Sequence, residues 1–413
     1  MLRRLVNELR LKQQRLLLRL QGGQRWAHGW LASQIEFVLK EYPKLEVVRF
    51  VEHPDKNRSI NQIHDFRLKQ FQKLLGQECD LLVFDAYAGF NPDALGALSG
   101  TIRAGGLCIL ITPEDKDWGD YIDPECQRFC IEPYKPEQLT RRYIRRLCRQ
   151  FSNHDSFLSV TEANRDAIDV SNLNLVSAKL IQDNLPFGCL NQQQLYAVQK
   201  ILSLHSAPQP GVLVLTADRG RGKSAALGLA SAQLLGDAPN DGEQTFTKIL
   251  ITSPSPASTV TVFKHLCMRL KFKSIRFERK DNKVLSSHFE FAFVAPDELS
   301  LFLPDADLVL IDEAAAIPQQ MLSPVIDHYK HLVFATTVHG YEGTGRGFEY
   351  KLKPQLKLRF ASYRELKLEI PIRFAQNDNL EPIVNRLLGL DIELPAINNI
   401  HEINSMPLKF ECL

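Results

Sequence analysis

One stretch limits what this chain can fold into more than any other: residues 211–235, GVLVLTADRGRGKSAALGLASAQLL. A run of strand formers feeds a loop holding two glycines, and the loop feeds an alanine- and leucine-rich helix. Within it Ala217, Gly222, Lys223 and Ser224 stand at the spacing of a phosphate-binding loop, with alanine where a first glycine is usual. Such a loop must turn backbone N–H groups inward around a phosphate, and Gly220 and Gly222 admit the backbone angles this needs. Lys223 is then placed for the β- and γ-phosphates and the Ser224 hydroxyl for Mg2+, at the positive end of the following helix. Arg221 and Ala225 complete the candidate contact set. A strand, loop and helix of this kind belong to a mostly parallel sheet covered by helices on both faces, a three-layer α/β architecture.

Further strings give the loop its partners. DADLVLIDEAAAIP (305–318) is an apolar strand ending in two acids. Asp312 is placed to hold Mg2+ through water and Glu313 to polarise an attacking water. Two acids at a strand end mean little alone; following a phosphate loop in this order, they complete an ATPase of the helicase-like kind. LNQQQLYAV (190–198) resembles the helicase signature that reads adenine through a glutamine, here Gln194. In HLVFATTVHGYEGTGRGF (331–348) a strand ends at Thr336-Thr337, where helicases sense the γ-phosphate, and Arg346 follows in a glycine-rich turn as the candidate transition-state arginine. A translocating helicase needs two such folds around one nucleotide, and residues 186–370 suffice for one. The expected device is a nucleotide-dependent clamp or switch.

Residues 1–150 read as a separate Rossmann-like α/β domain, and 151–185 as a polar connector. LEVVRFV (45–51), CDLLVFDA (79–86) and GLCILITP (106–113) are predicted strands, with a helix between the last two capped by Asn91 and opened by Pro92. No glycine fingerprint follows the first strand, so no cofactor is expected there. The N-terminal string MLRRLVNELRLKQQRLLLRLQGGQRW predicts a basic helix packed on this domain and ending at Gly22-Gly23. Arg10, Lys12, Arg15 and Arg19 interrupt the apolar core that a secretory signal needs, and Glu8 and the lack of serine argue against a mitochondrial one.

Net charge is only +2, so a basic surface must be local. Helical spacing aligns Arg141, Arg145 and Arg149, either as a solvated face or as an RNA-phosphate contact. Residues 264–283, with Lys271, Lys273 and Arg276 around Phe272 and Phe277, read equally as a single-strand RNA surface or as a basic insertion with core-facing rings. No run of apolar residues is long enough for a membrane span. The eight cysteines form no C-x-x-C pair, which fits reduced thiols in the cytoplasm.

With DEAAAIP (312–318) and GYEGTGRGF (340–348) in hand, the chain resembles the RNA cytidine acetyltransferase family, in its bacterial tRNA(Met) branch. LLVFDAYAGFNPDALGALSGTIRAGGL (81–107) and LKLEIPIRFAQNDNLEPIVNRLL (366–388) extend the resemblance over nearly the whole chain. It implies acetyl transfer from acetyl-CoA to N4 of the wobble cytidine of elongator tRNA(Met), driven by ATP or GTP hydrolysis. It also implies a domain order: an α/β domain, a helicase-like ATPase, a GNAT-fold acetyltransferase and an RNA-binding tail. By that resemblance Gln194, the loop 220–225 and Arg346 contact nucleotide, while Asp312 and Glu313 serve Mg2+ and water. The glycine-rich turn that holds CoA in a GNAT fold has no counterpart after residue 350. Residues 371–413 are therefore expected to begin an incomplete transferase domain, with tRNA and a separate acetyltransferase chain as partners. The alternatives are a stand-alone RNA helicase-like ATPase and a non-catalytic nucleotide- or RNA-binding remnant.

Overall fold

The N-terminal string does not run as one helix. In the computed structural model, which describes residues 1–54, 60–74, 77–152, 157–165, 175, 185–204, 209–236, 246–337 and 347–390, helix α1 (Leu2–Lys12) ends at a left-handed Gln13. The chain then enters strand β1 (Leu16–Gln21). Leu16, Leu17, Leu18 and Leu20 are all buried, the pattern of a strand covered on both faces. Two of the string's arginines are buried as well: Arg15 pairs with Asp378 and Arg19 with Asp115, while Arg3, Arg4 and Arg10 of α1 are exposed.

The first sheet is built from β1, β2 (Val47–Phe50), β3 (Ile63–Phe66), β4 (Cys79–Asp85), β5 (Ile102–Thr112) and β6 (Leu158–Thr161). Their order is β3-β2-β4-β5-β1-β6, and every ladder is parallel. The last of these strands lies within the span read as a connector. Helices α2 (Gln24–Glu41), α3 (Pro92–Ser99), α4 (Asp115–Trp118) and α5 (Arg142–Ser152) accompany the sheet. The Asn91 side chain accepts from Ala94 N at 3.1 Å, so α3 starts as its sequence predicts.

The second sheet follows helix α6 (Gln192–Leu202). Its first members are β7 (Gly211–Ala217), helix α7 (Lys223–Gly236), β8 (Lys248–Thr252) and helix α8 (Val260–Phe272). After a hairpin of β9 (Glu278–Lys280) and β10 (Lys283–Leu285) come β11 (Glu290–Phe293), α9 (Pro296–Phe302), β12 (Leu308–Ile311), α10 (Gln319–His328) and β13 (His331–Thr336). Helix α11 (Lys353–Arg359), β14 (Ser362–Leu368) and helix α12 (Leu380–Leu388) complete the described chain. Strand order is β14-β7-β13-β12-β8-β11-β10-β9, parallel except for the hairpin at one edge. One apolar core lies between this sheet and α6, α7 and α8, and a second lies on the opposite face with α9, α10 and α11. This is the expected three-layer, mostly parallel arrangement. β13 separates β7 from β12, with Thr216 opposite Thr336 and Ile311 opposite Phe334, so the phosphate loop, the acid pair and Thr337 all emerge at one sheet edge. Open parallel sheets place ligands at that carboxyl edge.

Residues 371–390, placed by sequence at the opening of a transferase domain, pack against the first domain. Leu380, Ile383, Val384 and Leu387 of α12 join the core that holds Leu95 and Leu98 of α3. Residues 391–413 lie outside the described residues. The junction is fixed by Arg15, whose Nη2 and Nε donate to the two oxygens of Asp378 at 2.8 and 3.1 Å while Nη1 donates to Ser99 O at 3.0 Å. Both side chains are 2% exposed. Removing one member of such a pair leaves a charge in low dielectric with no counterion. Asp378→Ala is expected to destabilise the chain by about 3–5 kcal/mol in chemical unfolding, and Arg15→Met with Asp378→Leu to recover most of that loss. A single substitution costing under about 1 kcal/mol contradicts this account.

Candidate active site

The loop between β7 and α7 owes its shape to two glycines and to what lies behind them. Gly220 has φ +79° and Gly222 φ +86°, both in the left-handed region. A Cβ on Gly220 would stand 2.9 Å from the Phe374 ring, and one on Gly222 2.7 Å from Ile372 Cδ1. Ile372 N also donates to Gly220 O at 2.9 Å, so residues 370–375 back the loop directly. The Arg221 guanidinium is engaged away from a ligand's place: Nη2 pairs with Glu381 at 2.6 Å and Nε donates to Glu369 O at 3.2 Å.

Gln194 sits behind the same loop. Its side chain is buried, with Oε1 accepting from Leu190 N at 2.8 Å and Nε2 donating to Gly222 O at 3.4 Å. The glutamine that the signature assigns to adenine thus stands against the phosphate loop, with both ends of its amide engaged by protein.

Lys223 opens α7 and folds back on its own loop. Its Nζ donates to Ala217 O at 2.7 Å and Asp218 O at 3.3 Å, and reaches Thr337 Oγ1 at 3.4 Å. Burial lowers its pKa to about 8, against the favourable charges of Asp312 and Asp218. Asp312 follows β12 and is buried; its Oδ1 accepts from Glu313 N at 3.0 Å. Its Oδ2 is buried with no hydrogen-bond partner. Burial first, then the Glu313 charge, push the Asp312 pKa up to about 6, while the Ser224 hydroxyl and Lys223 oppose the rise.

An unpartnered buried carboxylate oxygen beside a hydroxyl suits Mg2+, which takes one or two protein oxygens and fills its shell with water and phosphate. Among the described residues no cluster of three His, Cys, Asp or Glu side chains offers an alternative metal cage. Glu313 is half-buried, holds a left-handed backbone (φ 51°, ψ 42°) and accepts from Ser258 Oγ at 3.4 Å.

These groups line a cavity of about 140 Å3, with Ala225, Thr261, His265 and Arg373 on the same wall system. Its other wall is Gln77, Gly100 and Thr101, from the first domain. Arg373 also pairs with Glu78 of that domain at 3.2 Å. Sequence reasoning missed Ser258, Arg373 and this wall. The available signal was positional: Ser258 follows the strand beside β12, and Arg373 follows the strand beside β7.

The other candidate residues lie elsewhere. Arg145 and Arg149 are exposed on α5, the former paired with Asp120 at 2.9 Å, and Arg141 is half-buried at the helix entrance. The neighbouring Arg146 donates to Leu387 O at 2.7 Å and so holds the end of α12. Lys271 and Arg276 are exposed, whereas Lys273 donates to Gln233 Oε1 at 3.2 Å. Of the two rings in that basic segment, Phe272 is exposed and Phe277 packs on the core, so each reading holds for one ring. Arg346 lies outside the described residues.

Comparison with known proteins assigns two regions of the chain. Residues 1–162 match the family model described as tRNA(Met) cytidine acetyltransferase TmcA, N-terminal, and residues 214–391 match RNA cytidine acetyltransferase NAT10/TcmA, helicase domain. The tRNA(Met) cytidine acetyltransferase TmcA of Nitrosococcus halophilus is 37% identical over 322 residues, covering 77% of this chain and 41% of the relative. That of Vibrio cholerae is 30% identical over 383 residues, covering 92% and 46%, and that of Pyrococcus abyssi 30% over 344 residues, covering 79% and 41%. The chain thus spans less than half the length of these curated relatives. Among solved structures, the large terminase of a thermophilic bacteriophage in complex with ADP overlaps 45% of this chain and 46% of its own at 15% identity and a TM-score of 0.31, too loosely to add to the assignment. With two family regions matched in order along it, one carrying the first sheet and one the phosphate loop and acid pair, the chain belongs to the RNA cytidine acetyltransferase family.

Proposed function

We propose that this chain binds ATP or GTP with Mg2+ and hydrolyses it in the service of tRNA cytidine acetylation. The observation that carries the reading is the convergence of Lys223, Ser224, Asp312 and Glu313 on one cavity, with Asp312 Oδ2 buried and unpartnered. The loop N–H groups from 220 to 225 cradle phosphate, and Lys223 exchanges the carbonyls of Ala217 and Asp218 for phosphate oxygens. Ser224 and Asp312 would hold Mg2+, which when bound would supply neutralisation of charge on the phosphates. Glu313 orients the water that attacks the γ-phosphate, and Thr337 stands beside Lys223 at the same end of the sheet. By family resemblance Arg346 stabilises the transferring phosphoryl group and Gln194 serves the adenine side, here through the loop it braces.

The partner in this reading is tRNA, specifically elongator tRNA(Met), with acetyl-CoA bound by a GNAT-type domain or a separate acetyltransferase chain. A cytoplasmic setting fits free cysteines such as the buried Cys79 and Cys108. No described helix is long and apolar enough to cross a membrane.

Lys223→Ala is expected to lower ATP turnover by about 100-fold or more, since a buried charge aimed at the phosphates is lost. Glu313→Gln is expected to keep ATP affinity within a few-fold while kcat falls by about 100-fold, the usual worth of a positioned base. Phosphate release and titration with a fluorescent ATP analogue measure the two effects; an undiminished kcat in Glu313→Gln removes that residue from the role. Elongator tRNA(Met) is expected to raise kcat more than other tRNAs do, and equal response to all tRNAs contradicts the substrate assignment.

A further inference from the structure

Glu313 is tied to a helix that faces solvent. Its carboxylate accepts from Ser258, which lies in the single turn Pro256–Thr259 between β8 and α8. That turn is internally bonded: Ser253 Oγ donates to Ser255 O at 2.8 Å, the Ser255 and Ser258 hydroxyls stand 3.2 Å apart, and Thr259 Oγ1 donates to Pro256 O at 2.8 Å. The turn runs straight into α8, so a displacement of the helix is a displacement of Ser258. The first turns of α8 serve two surfaces. Thr261 and His265 line the nucleotide cavity. Val260, Lys264, Met268 and Phe272 recur at helical spacing on the outside, and all four are exposed.

The outer surface has the chemistry of an RNA contact. Lys264, Lys271 and Arg276 are exposed and, among the described residues, pair with no carboxylate. The Arg269 guanidinium lies over the Phe272 ring at 4.6 Å, and that ring is 76% exposed. Cations spaced along an apolar strip with a free aromatic face suit a single strand, whose phosphates meet the cations and whose bases meet the ring. Its charge selects a polyanion, and the stacking ring selects RNA over an acidic peptide.

We propose that Ser258 restrains the Glu313 carboxylate and that RNA seated along α8 releases it, so that the helix converts RNA occupancy into hydrolysis. This rests on the reading of the cavity as an RNA-linked ATPase site. At 3.4 Å the Ser258 contact is longer than an ordinary hydroxyl hydrogen bond and correspondingly weak, so a small movement of α8 breaks it. While it stands, one carboxylate oxygen is engaged by a donor other than the attacking water. The left-handed backbone of Glu313 limits the routes by which the side chain can turn elsewhere. Ser258 is thus a positioning residue that acts through Glu313.

The test compares the full 413-residue chain with Ser258→Ala and Ser258→Thr, measuring phosphate release with and without a tRNA(Met) transcript. Ser258→Ala is expected to raise turnover without RNA by about 3- to 10-fold, the effect of one weak hydrogen bond lost, and to shrink the stimulation by RNA in proportion. RNA affinity by fluorescence anisotropy should stay within about twofold of the wild type, the scatter expected of a substitution away from the outer face of α8. Ser258→Thr, which keeps the hydroxyl, should restore the restrained rate. Lys264→Glu with Lys271→Glu should weaken RNA binding by about 10-fold or more, as reversing phosphate contacts does.

Ser258→Ala turnover at or below the wild-type rate with stimulation intact overturns the restraint. Unchanged RNA affinity in the charge-reversed chain, or equal stimulation by polyglutamate, overturns RNA as the occupant of α8. A wild-type chain with no turnover under any condition fails the ATPase reading itself, and the restraint with it; a wild-type chain that turns over identically to Ser258→Ala fails the restraint alone.

Discussion

The pair between Arg15 and Asp378 is the contact on which the rest of the architecture turns. A buried ion pair adds little net stability, because desolvation offsets most of the attraction. What it does add is position. Arg15 stands at the entry to β1, so Asp378 is held beside the amino end of that strand, and the chain on either side of it is held too. The Phe374 ring centroid lies 3.4 Å from the Arg15 guanidinium carbon, and the ring edge also stands against Gly220. Ile372 donates to the loop carbonyl, and Glu381 takes the Arg221 guanidinium. The phosphate loop is therefore braced by a segment whose own place is set by the first domain.

That dependence explains how one helicase-like sheet can have a second wall facing its phosphate loop. Two-lobed motors close a second sheet over the phosphates. Here Gln77, Gly100 and Thr101 of the first domain stand across from Lys223 and Asp312, and Arg219 of the loop packs against Gly100. Low dielectric between two walls is also what lowers the Lys223 pKa and raises that of Asp312. Both shifts favour a ligand that brings anions to the lysine and a cation to the carboxylate, since each restores the charged form that burial opposes.

Much of this site was legible in the residues because its signals are local. The strand, glycine loop and helix at 211–235, the acids closing an apolar strand and the Asn91-capped helix each carry their geometry within a few residues. What stayed hidden depends on residues far apart in sequence. The leucines of β1 read as a helix because Arg15 and Arg19 look solvated until Asp378 and Asp115 are known to meet them. The motif assigns Gln194 to adenine, but the place and direction of its amide are set by Gly222 and Leu190 in three dimensions. Phe272 and Phe277 cannot be told apart by composition, since only the packing of α8 and the strand hairpin decides which ring is covered. Ser258 belongs to no motif, and only the parallel register of β8 beside β12 brings it to Glu313.

The two family regions meet at the same contact. The N-terminal match contains Arg15, and the helicase-domain match, which runs to residue 391, contains Asp378 and α12. Each region thus holds half of a buried charge pair and half of a shared apolar core, where α12 packs on α3. Divided between β6 and α6, the two parts would each keep an uncompensated charge and an exposed leucine-rich face, both costly in water-excluded surroundings. The sequence boundary between domains is consequently not an energetic boundary. The first domain and the ATPase fold form one structural unit whose internal seam is also a wall of the candidate nucleotide site.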